Sequence, residues 1–125
     1  MTFEKPYVVA IPIPSLDDEG EPLSTEEIDA WVKNALRELT ECFGGAMPIP
    51  APGMNVLDGT LLYEKNQVVV MAGCDSRDDF LLKKNRLEAF AVKMGRRLRQ
   101  RYVFVLGVPS DSFLVEIDSG PEGSP

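Results

Sequence analysis

The pattern of apolar and polar positions divides the chain into strands and helices. Tyr7-Val-Val-Ala-Ile-Pro-Ile-Pro14 is an apolar, β-branched run and predicts a first strand. Its prolines sit near the end, where a ladder tolerates them. An acidic loop follows over residues 15–22. Ile28, Trp31, Val32, Ala35, Leu36 and Leu39 then recur at helical spacing and form one apolar stripe. Ser24-Thr-Glu-Glu27 ahead of the stripe fits a capping box, with Leu23 and Ile28 at the staple positions. Gly44-Gly45 supplies a residue able to take positive φ at the far end, so the helix is placed at about 25–43. Residues 46–53 hold Pro48, Pro50, Pro52 and Gly53 and predict an extended loop or irregular edge segment. Asn55-Val-Leu57, Asp58-Gly59 and Thr60-Leu-Leu62 predict a hairpin. Its second arm runs on to Met71, with a bulge, an edge or a second turn over the polar interval 64–67. A second helix is expected from Asp75 or Ser76, with Phe80, Leu87, Phe90, Ala91, Met94 and Leu98 on one side. Leu81, Leu82 and Val92 project to the other side. Tyr102-Val-Phe-Val-Leu-Gly-Val108 predicts another strand, Phe113-Leu-Val-Glu-Ile117 a short last one, and residues 119–125 a disordered tail rich in Gly, Ser and Pro.

The resulting order, β-α-β-β-α-β with a possible extra C-terminal strand, is that of an α+β, ferredoxin-like sandwich: an antiparallel sheet with two helices on one face. The expected domain is single and spans residues 1–118. In such a fold the other sheet face is open and should carry polar residues at alternate positions. Residues 7–13 and 102–108 are apolar on both faces, so a companion is expected, and the simplest is a second copy. Burying about 500 Å² of apolar surface per subunit would contribute roughly 12 kcal/mol gross. Association costs ~4–15 kcal/mol, so a homodimer is feasible.

Charge changes this picture locally. The 125-residue chain has a net charge of −7, yet the stretch from Lys83 to Arg101 holds eight basic residues and one acid. The segment Arg96-Arg97-x-Arg99-x-Arg101 could contact phosphates or an acidic protein, remain a solvated face, or pair with the acidic segment 17–27 within or between molecules. A pI near 4.6 and the lack of a ring of exposed aromatic residues beside the arginines argue against nucleic acid. There is no histidine, which excludes Ser-His-Asp and Cys-His chemistry within the chain. Cys42 and Cys74 have no metal-ligand spacing and read as buried small hydrophobes, so neither metal nor cofactor is expected. A thiolate at Cys74, beside a helix N-terminus, is opposed by Asp75, Asp78 and Asp79. Gly44-Gly45 follows a helix and does not open one, so it is no phosphate loop. It could still shape a pocket, or simply end the helix. Glu64 sits amid apolar neighbours and is either solvated, a general base, or a partner for an arginine such as Arg97. Ser110-Asp-Ser112 is explained by turn chemistry. The longest apolar runs are too short to span a membrane, and residues 1–6 do not resemble a secretion signal, so a cytoplasmic setting is expected.

Four features occur together: Phe43-Gly-Gly-Ala46 after the first helix, Gly53 before the hairpin, Glu64 on the next strand, and Gln100 just before Tyr102-Val-Phe-Val105. Over about residues 7–117 this pattern resembles small bacterial proteins of unknown function with a ferredoxin-like core. The resemblance implies that fold and carries no assigned activity. The leading expectation is a non-enzymatic domain, homodimeric, acting through protein contacts. The alternative is a small enzyme or binding protein for an anionic molecule. Its pocket would lie near residues 43–53 and involve Gly44, Gly45, Glu64, Arg96, Arg97, Arg99 and Gln100. Nucleic-acid binding through the basic helix is a third reading.

Overall fold

The structure is a computed structural model that describes residues 1–117. The tail expected over 119–125, and the last residue of the expected 1–118 domain, lie outside the described residues. In chain order the elements are β1 (Thr2–Glu4), β2 (Tyr7–Ile13), α1 (Thr25–Phe43), β3 (Met47–Pro50), β4 (Gly53–Leu57), β5 (Thr60–Glu64), β6 (Val68–Cys74), α2 (Arg77–Leu82), α3 (Lys84–Arg97), β7 (Leu106–Pro109) and β8 (Phe113–Val115). Four strands form the main sheet in the order β3-β6-β2-β7, every pair antiparallel. With α1 joining β2 to β3, and α2 and α3 joining β6 to β7, this is the ferredoxin-like arrangement.

The helices share one face of the sheet. Tyr7, Val9, Ile11 and Ile13 of β2 alternate inward with Val70, Ala72 and Cys74 of β6. They form one core with Ile28, Ala35 and Leu39 of α1, and with Leu87, Met94 and Leu98 from the second helical stretch. The two helices also touch each other. Trp31 and Phe90 meet edge-on at 5.8 Å, and Arg86 reaches Glu38 and Glu41 at 2.6 Å each. The capping box forms as the sequence dictates: the Glu27 N–H donates to Ser24 Oγ at 3.1 Å, and the Ser24 N–H donates to the Glu27 carboxylate at 3.2 Å. Gly44 ends the helix at φ 94°.

Several elements differ from the sequence reading. Residues 47–50 form an edge strand of the main sheet, paired among the described residues to β6 alone; such an edge accommodates Pro48 and Pro50 because a proline facing outward leaves no ladder bond unmade. The interval 64–67 is a second turn. The Ala51 N–H donates to the Gln67 carbonyl at 2.9 Å, and Gln67 Nε2 returns a bond to the Ala51 carbonyl at 3.0 Å. That turn leaves β4–β5 as a separate two-stranded ribbon. The second helix breaks at Lys83, whose N–H is shared between the carbonyls of Asp79 and Phe80. β8 pairs with β1, a strand the apolar pattern did not reveal.

The reverse face of the sheet is apolar. Met47, Met71, Ala10 and Leu106 make one cross-strand row. Ile49, Val69 and Pro12 make the next, and Gly73, Val8 and Val108 a third. Met47, Ile49, Leu106 and Val108 are exposed there.

Candidate functional site

The site begins with a ladder that stops early. Ser110 donates its N–H to the Pro6 carbonyl at 2.8 Å, which directs the backbone groups of even-numbered β2 residues toward β7. Pairing runs from Tyr7–Pro109 to Ala10–Leu106. Continued in the same register, Pro12 would face Phe104 and Pro14 would face Tyr102. Neither proline has an N–H to donate. The strand expected over 102–108 is therefore paired only from Leu106 onward, and residues 102–105 part from β2.

The hairpin closes over the resulting crevice. Its register pairs Gly53 with Glu64 and Asn55 with Leu62, so Asn55, Leu57, Leu62 and Glu64 share the inner face. Two adjoining cavities of about 270 and 390 Å³ lie between the hairpin, the end of β2 and residues 100–104, and Asn55, Glu64, Gln100 and Tyr102 line both. Glu64 is only 5% exposed. One carboxylate oxygen accepts the N–H groups of Ser15 at 3.0 Å and Leu16 at 3.2 Å, and the Ser15 hydroxyl at 3.5 Å. The other accepts from Asn55 Nδ2. Among the described residues no lysine or arginine forms an ion pair with it. Gln100 Nε2 donates to the Leu16 carbonyl at 2.7 Å and the Leu98 carbonyl at 2.9 Å, which fixes the loop against the end of α3. Tyr102 is 89% exposed and Phe104 64%.

The remaining sequence candidates are dispersed. Gly44 and Gly45 are exposed at the end of α1 and line none of the cavities described. Arg99 pairs with Glu27 at 3.1 Å and Asp17 at 3.7 Å, so part of the acidic segment meets the basic stretch within one molecule. The Arg99 hydrogen bond, with help from the Ser24 N–H, lowers the Glu27 carboxyl below its ordinary range. Asp17 is lowered chiefly by the N–H groups of Glu21 and Glu19, and further by Arg99. Arg97 is exposed and does not approach Glu64, whereas Arg96 lines a third cavity on the other side of residues 100–104. Cys74 is buried, and burial pushes its thiol up; the thiol donates to the Ser76 carbonyl at 3.1 Å, and Asp79 raises it further. Among the described residues no three of His, Cys, Asp and Glu are placed to hold a metal ion, and no helix is long and apolar enough to cross a membrane.

Sequence reasoning missed Ser15, Asn55 and Tyr102. The signal for Asn55 was present: an Asp58-Gly59 turn sets Asn55 and Glu64 on the same ribbon face. The burial of Glu64 was not visible, because its donors lie 48 and 49 residues away.

No protein-family model matches the chain, and no curated protein matches it. Among solved structures it is similar to a phage SAM lyase in complex with S-methyl-5'-thioadenosine, with TM-score 0.59 and 20% identity over 84% of this chain and 81% of that one. The phage SAM lyase in its apo state gives 0.57 and 21% over 83% and 80%. The divalent cation tolerance protein Cut A1 of Thermus thermophilus gives 0.50 and 14% over 88% and 84%. At these identities the likeness establishes the fold: an α+β chain built on an antiparallel sheet.

Proposed function

We propose that the cleft at Glu64 binds a small cationic ligand, and that a sulfonium nucleoside of the S-adenosylmethionine type is the class it fits. The observation that carries this is Glu64 itself: a buried carboxylate, held by four donors, in the wall of an open cleft and without an ion-pair partner among the described residues. A buried charge without a countercharge is costly, and a bound cation removes that cost. Tyr102 and Phe104 offer faces to a base or a cation. The phage lyase named above is a fold neighbour whose ligand is a thioether nucleoside, which supports the choice of class. This reading replaces the anionic ligand expected from the arginines, because Arg96, Arg97 and Arg99 line neither cavity at Glu64, and Arg101, which lines one of them, is paired with Asp58 at 3.7 Å. The test is calorimetric titration with S-adenosylmethionine and with neutral S-methyl-5'-thioadenosine. The charged ligand should bind more tightly, and Glu64→Gln should weaken it by about tenfold or more, the value of a charge-assisted contact. Absence of binding at millimolar ligand, or an unchanged affinity in Glu64→Gln, refutes the reading.

A second reading, self-association through protein contacts, is favoured by the apolar reverse face. Its three rows contain no charged residue. A second copy packed there is the expected cover, giving a homodimer. Light scattering should report it, and Met71→Lys should dissociate it; a monomer at micromolar concentration refutes it.

A further inference from the structure

Arg96 and its neighbours belong to a different cavity from Glu64. Along α3, Lys84, Glu88, Ala91, Val92, Gly95 and Arg96 follow one stripe at successive turns. Facing them is the 101–105 segment that has left the ladder. Between the two lies a trough of about 700 Å³, larger than either cavity at Glu64 and within the size range of ligand sites, about 300–1,000 Å³. Its floor is Phe80, Leu87, Ala91, Val103 and Val105. At Gly95 the walls close: a Cβ there would lie 3.0 Å from Val103 Cγ2. Charge is distributed unevenly along the trough. At one end Lys84 is neutralised by Glu88 at 3.7 Å. At the other, Arg96 forms no ion pair among the described residues, and Arg101 has only the exposed Asp58 at 3.7 Å. An apolar floor with one cationic end fits a molecule with an anionic head and an apolar tail.

We propose that this trough binds a medium-chain carboxylate. The head lies at Arg96 and Arg101, and the chain runs over Ala91 and Val92 toward Phe80. Residues 100–102 form the wall between this trough and the cleft at Glu64 and line both, so the two sites are adjacent but distinct cavities. The test is calorimetric titration of the full chain with decanoate, decanol and decyltrimethylammonium, each below its micelle concentration. Decanoate should bind saturably and about tenfold or more tighter than either of the others. Arg96→Glu should weaken it by about tenfold. Val92→Asp, at a half-exposed position that the core does not use, should abolish it. Glu64→Gln should leave decanoate binding unchanged, so failure here is distinguishable from failure of the cleft. Equal affinity for the three head groups, full binding in either trough variant, or loss in Glu64→Gln overturns the proposal.

Discussion

Glu64 has a structural load as well as a ligand to meet, and two substitutions separate them. In Glu64→Ala the N–H groups of Ser15 and Leu16 lose their acceptor. Ser15 is buried, so its amide bears most of the penalty for an unsatisfied donor, about 1–3 kcal/mol. The Leu16 amide is half-buried and adds less, and the Asn55 contact adds a little more. The expected cost is about 3 kcal/mol, or roughly 10 °C in Tm for a chain of this size. Glu64→Gln keeps a carbonyl oxygen for both amides, and a turn of the Asn55 amide offers its oxygen to the new NH₂. Its cost should stay below about 1 kcal/mol, the net value of one ordinary hydrogen bond. Urea unfolding followed by the fluorescence of Trp31, the chain's single tryptophan, measures both. Glu64→Ala as stable as the native chain, or the two variants equally destabilised, would refute this account of how the cleft is held.

Three further outcomes follow from the same geometry. Pro12→Val restores a donor opposite residue 104; hydrogen exchange should show a newly protected amide at position 12 and slower exchange across 102–105, and unaltered exchange would count against the proline explanation. Gly107→Ala places a Cβ 2.7 Å from Phe80 Cε2 and 2.8 Å from Tyr7 Cε1, and should cost about 1–3 kcal/mol in urea unfolding as an overpacked site. Asp17 and Glu27 have lowered pKa values, so their contribution is present above the ordinary carboxylate range and is lost as pH falls through the lowered values. Arg99→Gln should therefore shrink the fall of Tm on acidification, and high salt should act in the same direction because Arg99 and Glu27 are partly exposed; an acid limb identical to the native one would contradict this.

What the chain declares locally and what it declares only when folded are different in kind. The capped first helix, the hairpin turn at Asp58-Gly59, the first apolar strand over residues 7–13 and the α+β, ferredoxin-like class are legible, because capping, turn chemistry and periodicity act between residues a few positions apart. The role of Met47–Pro50 was not, since a proline-rich segment becomes a strand only if β6 offers it a sheet edge. Nor was the early end of the β2–β7 ladder: Pro12 and Pro14 matter through the residues they would face, some ninety positions on. Glu64 shows the limit most clearly. A carboxylate among apolar neighbours is visible in the sequence, but its burial depends on amides contributed by Ser15 and Leu16, and long-range contacts of that kind exist only once the tertiary structure has closed.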